Sequence, residues 1–207
     1  MNFRDLKVVA IGAHPDDVEY GCYTVLSRCY EPVMVNLTRG EHGGEHNIRE
    51  KESRATAELL NARLIQLTLE DTNINLREAA TALEKIIRDE RPDVVLTMTE
   101  PDLHQDHVTV AKATTIALRE YEGLVLGYQT PSNIVTFQPD IYFEISNDEF
   151  LAKMQALRVH ATQSNRRYLG EDALRSVSRF WATATRTEFE YVEAFKILRW
   201  VVPLSER

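Results

Sequence analysis

The chain contains 207 residues, of which 43% are hydrophobic and 27% are charged, a composition typical of a single globular domain with a buried core. Its formal net charge of -8 at pH 7 repels phosphate backbones and anionic lipid, which argues against nucleic acid and membrane surfaces as partners. No apolar run reaches the ~20 residues that a membrane span requires, and the mixed polar residues 1–7 are unlike a signal peptide. We therefore expect residues 1–207 to form one cytoplasmic domain.

In chain order, short apolar runs alternate with amphipathic stretches from residue 7 to residue 121. The apolar runs predict buried strands, and apolar residues at helical spacing predict helices between them. The predicted strands are 7–12, 33–37, 63–69 and 93–98, and the predicted helices are 16–30, 48–61, 76–91 and 108–121. Cys22 and Cys29 lie two turns apart on the first helix, too far to bond each other, so we expect both to be core residues in a reducing compartment.

Four strands that alternate with helices indicate parallel strands joined by helical crossovers. This pattern predicts an α/β, Rossmann-like fold of three layers with a mainly parallel sheet. In such sheets ligands bind beyond the carboxyl ends of the strands, at the switch in strand order. The loops after the first, second and fourth strands are therefore the candidate site.

The last third of the chain has a less regular pattern. It predicts a strand at 141–145, a helix at 147–164 and a final apolar run at 195–202. We expect these elements to complete the sheet and to wall the pocket. The final run suits a subunit interface as well as a core strand, so a homo-oligomer is left open.

Two short loops concentrate chemically active side chains. The loop after the first strand carries His14, Asp16 and Asp17, and the loop after the fourth carries His104 and further acidic and imidazole groups up to residue 107. Three of the six histidines fall in these two loops. Both loops leave the same edge of a parallel sheet, so we expect them to meet.

The residue types in these loops suit a catalytic zinc ion. Such an ion typically takes three ligands from His, Asp or Glu and keeps a fourth position for water. His14 and Asp17 are three residues apart and can face one point, and His107 would complete the set. Asp16 would face the water as a base. His104 and Asp106 would form a second pair, in which the carboxylate favours the protonated imidazole.

Simpler interpretations exist for each loop taken alone. An Asp-Asp pair after a strand is often a helix N-cap with a solvated neighbour, and a lone His-x-x-His is often surface. Magnesium is a weaker match than zinc because it prefers all-oxygen surroundings. No Gly-x-Gly-x-x-Gly or Walker loop follows the first strand, which removes the usual signature of dinucleotide or nucleotide binding.

The two loops resemble the motifs of the PIG-L/LmbE family of zinc-dependent N-deacetylases. Ala-His-Pro-Asp-Asp stands at 13–17 and His-Gln-Asp-His at 104–107. Residues 37–41 and 48–52 resemble the family's second-strand loop and the start of its next helix. His-Ala-Thr-Gln at 160–163 resembles a late family motif, with Thr162 in place of Ser.

This resemblance implies an LmbE-like fold and a role for each motif residue. Zinc would be the cofactor, and its ligands would be His14, Asp17 and His107. The general base would be Asp16. The acid or oxyanion partner would be His104, oriented by Asp106.

Substrate contacts are predicted from both the resemblance and the sheet edge. Arg49 is a substrate contact by the resemblance, although helix-face arginines are usually solvated. Arg39 and Glu41 follow the second strand at the correct edge for pocket roles. His42 and His46 flank two glycines, where lid residues are favoured over a second metal site. The aromatic residues that could stack on a sugar, or lie in the core, are Tyr168, Trp181, Tyr191 and Trp200.

Together these features predict a hydrolase that removes an acyl group, acetyl foremost, from the nitrogen of a small amino-sugar-like molecule. One alternative keeps the metal site but uses a natural product or another small acylated amine. A second alternative is a metal-dependent binding domain without catalysis. Asp16 argues against that alternative, because a binding module needs ligands but no spare carboxylate beside the water.

Overall fold

The structure, a computed structural model, describes residues 2–201 and contains one sheet flanked by helices. The strands are β1 (Lys7–Gly12), β2 (Glu31–Thr38), β3 (Arg63–Leu69), β4 (Val94–Thr97), β5 (Leu124–Tyr128), β6 (Ile141–Ile145) and β7 (Tyr191–Arg199). The α-helices are α1 (Asp17–Ser27), α2 (His46–Leu59), α3 (Leu76–Glu90), α4 (Gln105–Ala117), α5 (Asn147–Val159) and α6 (Glu171–Thr185).

The seven strands lie in the order β3-β2-β1-β4-β5-β7-β6. The first five are parallel to one another, and β7 pairs antiparallel with both β5 and β6. The mainly parallel, Rossmann-like sheet predicted from the sequence is thus confirmed. β1, β2 and β4 are buried almost throughout, as expected for parallel strands with helices on both faces.

The direction of the sheet reverses at β1. The chain first moves outward from β1 to β2 and β3, then returns to place β4 on the other side of β1. Because right-handed crossovers are nearly universal, this reversal puts α1 and α2 on one face and α3 and α4 on the other. The loops after β1 and β4 therefore diverge around a crevice at the switch point, where α/β sheets bind ligands.

Two elements of the second half were not predicted. β5 is a run of only five residues and gives a weak signal. α6 does carry helical periodicity, with Leu174, Ser178 and Ala182 buried at four-residue spacing, and the sequence prediction missed it. The helix expected over 147–164 ends at Val159, after which His160 leaves helical geometry. Of the expected run at 195–202, residues 195–199 belong to β7, an interior strand, and residues 200–201 follow it. Residue 202 lies outside the described residues.

Helix α4 begins three residues earlier than its apolar pattern indicates. His104 is its N-cap: the ring Nδ1 accepts a hydrogen bond from the backbone N–H of Asp106. A side-chain acceptor at this position satisfies one of the free N–H groups of the first turn. As a result His107 lies inside the first turn of the helix, where its side chain is buried.

Within residues 2–201 no helix combines the length and the apolarity that a bilayer crossing demands. The two cysteines are free thiols. Each sulfur donates to the carbonyl oxygen four residues earlier, Cys22 to Val18 and Cys29 to Val25. The two cysteines are not bonded to each other, as the sequence spacing indicated; Cys22 is buried and Cys29 is half-buried.

Helix α1 packs closely against β5 at Gly21. A Cβ atom at this position would overlap the ring of Tyr128, which is fully buried and donates its hydroxyl to the carbonyl of Ile11 at 2.7 Å. The absence of a side chain at Gly21 therefore sets how near the helix that carries Asp17 lies to the sheet.

We expect Gly21→Ala to destabilise the fold by about 1–3 kcal/mol, the usual cost of overpacking a core that cannot yield. The anchored Tyr128 ring has little room to move, so α1 must shift instead. Urea unfolding of both proteins measures the difference. An unchanged unfolding midpoint and slope would contradict the close packing described here.

Candidate active site

The carboxylate of Asp17 joins the loops that follow β1 and β4. Its Oδ2 accepts the backbone N–H of His14 at 2.7 Å and lies 3.3 Å from the Nδ1 of the same residue. Its Oδ1 lies 3.3 Å from the Nε2 of His107. All three residues are buried. The structure thus brings together the three residues that the sequence proposed as metal ligands.

The donor set of this centre is suited to a divalent cation. Ligand atoms of His14, Asp17 and His107 lie within 4.8 Å of one another, and two imidazoles with one carboxylate are a donor set that zinc uses in catalytic sites. Although burial opposes its charge, contact with His107 and His14 holds the pKa of Asp17 well below its usual range. Burial likewise opposes a charged His107, but Asp17 and Asp102 raise its pKa to about 9.

His107 is oriented by a carboxylate that sequence reasoning left without a role. Its Nδ1 lies 3.0 Å from Oδ2 of Asp102, and Asp102 also accepts the hydroxyls of Thr130 and Ser132. A carboxylate on the far nitrogen fixes the tautomer and raises the basicity of a ligating imidazole. The available signal was the position of Asp102 in the same loop as His107, but that spacing is not specific.

His14 is held at its far nitrogen by two further carboxylates. Nε2 lies 3.0 Å from Oδ1 of Asp71 and 3.1 Å from Oδ2 of Asp106. Asp106 also accepts the backbone N–H of Thr72 at 2.8 Å. This differs from the predicted pairing, in which the Asp106 carboxylate orients His104. The reason is the start of α4: His104 receives the backbone N–H of Asp106 as its cap, while the Asp106 side chain turns to His14.

His104 stacks on His107, with ring centroids 4.6 Å apart. Burial lowers the pKa of His104, and the positive charge of its two histidine neighbours lowers it further. This lowered pKa favours the neutral imidazole, whereas the sequence pattern favoured the protonated form. Because Nδ1 accepts the Asp106 N–H, the ring proton resides on Nε2, which makes Nε2 a hydrogen-bond donor.

Asp16 lies beside the candidate metal ligands His14 and Asp17, but its backbone conformation is unusual. Its φ is 103°, in the left-handed region that non-glycine residues seldom adopt. This turn separates its carboxylate from that of Asp17 and lets it line the cavity. Burial, followed by the charge of Asp17, raises the pKa of Asp16 to about 6, while Arg49 opposes the shift.

The guanidinium of Arg49 is buried and clamps two loops. It donates to the carbonyls of Gly40 at 2.8 Å and Pro15 at 2.7 Å, and lies 3.7 Å from Asp16. Gly40 has φ 64° and no room for a Cβ beside this guanidinium. Arg49 borders the cavity, but two of its donors already hold the walls, and its predicted contact with substrate stays a prediction.

Arg39 and Glu41, predicted as pocket residues, are placed elsewhere. Arg39 extends towards Glu50 on α2, with Nε 3.5 Å from Oε2. Glu41 is exposed and accepts the backbone N–H of Asp71 at 3.2 Å. Both side chains support the loop after β2. Neither lines the cavity, whose wall here is formed by residues farther along the chain.

The crevice above Asp17 encloses about 300 Å³. Beyond the polar centre, most of the outer wall comes from loops that the sequence did not single out. The exceptions are His42, Tyr168 and the segment around residue 163. The outer wall residues are His42, Gly43, Pro131, Ser132, Gln163, Arg166 and Tyr168. The other three aromatic candidates lie away from it: Tyr191 stacks on Phe150 in the core, Trp181 donates to Gln129, and Trp200 is exposed.

The late motif at 160–163 supports the site from behind. The Nε2 of His160 lies 3.0 Å from Glu19, and both side chains are fully buried. Thr162 donates its backbone N–H and its hydroxyl to Glu52. Gln163 donates to the carbonyl of Gly43. Thr162 supplies the hydroxyl that Ser would have supplied, so its substitution leaves this contact in place.

Fold and site together define a Rossmann-like α/β protein with a candidate metal centre at its switch point. A family model described as PIG-L, GlcNAc-PI de-N-acetylase, matches residues 9–118. The Escherichia coli (strain K12) protein named uncharacterized deacetylase YaiS is 37% identical over 166 residues, covering 74% of this chain and 89% of that protein. The chain belongs to the PIG-L family of deacetylases.

Solved structures share the fold over nearly the whole chain. N,N'-diacetylchitobiose deacetylase from Pyrococcus horikoshii is 25% identical, with a TM-score of 0.79, covering 95% of this chain and 85% of that one. GalB, the 4-carboxy-2-hydroxymuconate hydratase from Pseudomonas putida KT2440, is 16% identical with a TM-score of 0.82, covering 97% and 100%. Because the second shares only the fold, the reaction must be argued from the site itself.

We expect Asp102→Ala to destabilise the protein by at least about 2 kcal/mol, because each buried donor left without an acceptor costs about 1–3 kcal/mol. The donors affected are those of His107, Thr130 and Ser132. Urea unfolding in the presence of a chelator measures this effect without a contribution from metal. Glu100→Ala, which removes an exposed carboxylate two residues away, is the control; equal losses in both variants would argue against the network.

Proposed function

We propose that this protein is a zinc-dependent hydrolase that removes the acetyl group from the nitrogen of a small amino sugar. The observation that carries this proposal is the buried carboxylate of Asp16 beside, but separate from, the donor set of His14, Asp17 and His107. A binding site needs the donors alone. A hydrolase also needs a base within the same cavity.

The residues present match a zinc ion in number and chemistry. His14, Asp17 and His107 would hold it, with the far nitrogens of the two histidines fixed by carboxylates, the arrangement that orients ligating imidazoles. When bound, zinc supplies a Lewis acid that polarises the amide carbonyl and makes water more acidic. The chain itself supplies the proton transfers.

Asp16 has the properties of a general base and acid. Its raised pKa, about 6, lies close to neutral pH, where a carboxylate both takes and returns a proton efficiently. It takes a proton from the attacking water as the C–O bond forms. It then returns that proton to the nitrogen as the C–N bond breaks, so acetate and a free amine leave.

His104 is placed to assist as a hydrogen-bond donor. Its Nε2–H can reach the oxygen on which negative charge develops, and a preorganised donor of this kind contributes about 2.7–4 kcal/mol. Acting as a neutral donor, it needs no separate protonation step. Asp106 contributes through His14 and not through this ring.

The cavity suits a small, polar acceptor. Its volume of about 300 Å³ lies at the lower end of the range for ligand sites. Tyr168 offers an aromatic face at the outer wall, which suits the apolar face of a sugar ring. The P. horikoshii neighbour is named for a diacetylated amino sugar, which supports this class over other acylated amines.

Acetate release by zinc-loaded protein from N-acetylglucosamine, N-acetylgalactosamine and N,N'-diacetylchitobiose tests the function. We expect Asp16→Asn to keep its zinc but to lose about 10²–10⁴-fold in kcat, the contribution of a general base. His107→Ala should lose the zinc, as measured by elemental analysis. Undiminished release by fully zinc-loaded Asp16→Asn would remove Asp16 from this role, and no release from any sugar would redirect the proposal to another acylated amine.

Arg166 is expected to contact the substrate beyond the acetyl group. It borders the cavity, and within residues 2–201 its guanidinium has no ion-pair partner. We expect Arg166→Gln to raise KM about 10-fold with little change in kcat, because a hydrogen bond from a charged donor is worth about 1.5 kcal/mol or more. The control is Arg167→Gln, an exposed neighbour of equal charge outside the cavity wall. Equal KM values for both variants would contradict the assignment.

A further inference from the structure

We propose that Asp71 is a positioning residue that couples the loop over the cavity to the metal ligand His14. This inference rests on the proposed metal site. Asp71 lies between β3 and α3, in a connection that the sequence motifs leave out, and is only 3% exposed. It is the third carboxylate facing His14, after Asp17 and Asp106.

The two oxygens of Asp71 serve different parts of the site. Oδ1 lies 3.0 Å from the Nε2 of His14, while Oδ2 accepts the backbone N–H of His42 at 2.8 Å. The backbone N–H of Asp71 donates to Glu41 at 3.2 Å. One side chain thus fixes the far nitrogen of His14 and the position of residues 41–43, of which His42 and Gly43 line the cavity.

The backbone next to Asp71 is also held in a specific geometry. Thr72 has φ 65°, a conformation that is an outlier for a β-branched residue and persists only where the surroundings enforce it. Here the Thr72 N–H donates to Asp106 at 2.8 Å, and its carbonyl accepts the amide of Gln105 at 2.6 Å. The strained turn aims Asp71 at His14 and ties it to the helix that carries His107.

A carboxylate is needed at this position because two donors share it. His14 and the His42 N–H face different oxygens of Asp71, and in Asn only one of these two positions is an acceptor. Its NH₂ group would face a second donor. Replacing a carboxylate that orients a ligating histidine usually costs 10–100-fold in metal affinity.

The test compares wild type with Asp71→Asn and with Glu70→Gln. Glu70 is the matched control: it is the adjacent acid, is exposed, and accepts only from Asn73 among described side chains. Zinc affinity is measured by competition with a chelator, and the ligand field by the visible spectrum of the cobalt-substituted proteins. We expect Asp71→Asn to lose 10–100-fold in zinc affinity, to change the cobalt spectrum, and to exchange the His42 amide hydrogen faster. Glu70→Gln should match wild type in all three.

Wild-type zinc affinity and an unchanged cobalt spectrum in folded Asp71→Asn would overturn the proposal. If that variant does not fold, Asp71→Glu retains the charge but moves it by one methylene group; weaker zinc binding there supports the role, and unchanged binding overturns it. Failure of the reaction is seen separately. Wild type that binds zinc but releases no acetate from these sugars would overturn the proposed substrate and leave the affinity comparison valid.

Discussion

The site depends on the carboxylate of Asp17, which is shared between two loops far apart in sequence. Its contacts with His14 and His107 join the two loops that border the crevice at the switch point. The parallel sheet makes this contact available, since the ends of β1 and β4 are neighbours. Gly21 then lets α1, which begins at Asp17, lie close enough to the sheet for the carboxylate to reach both imidazoles.

Several acidic groups are buried around this carboxylate without an equal number of permanent cations. Asp16, Asp17, Asp71 and Asp106 are all buried, while Arg49 is the only buried arginine within residues 2–201. Burying charge is costly unless it is paired. The histidines supply that pairing when protonated, and a divalent cation would replace their protons, so metal binding would be linked to proton release and to folding.

Four of the five parallel strands and the residues of the donor set could be predicted because both are local patterns. Buried strands give apolar runs, and His14, Asp16 and Asp17 follow one of them directly. The supporting carboxylates could not be predicted in the same way. Asp71 contacts His14 although 57 positions separate them in sequence. No short sequence motif predicts such a contact. The predicted pairing of His104 with the Asp106 carboxylate was wrong for a related reason: the cap geometry is set by where α4 begins, which apolar periodicity does not define.

The left-handed backbone at Asp16 has a further consequence for how this protein could change over time. Only glycine adopts that conformation freely, and Asp and Asn are among the few other residues that tolerate it. Replacement by Gly would relieve the strain while deleting the carboxylate. Under the proposed function, stability and activity would therefore favour different residues at position 16, because glycine fits the backbone and only the acid supplies a base.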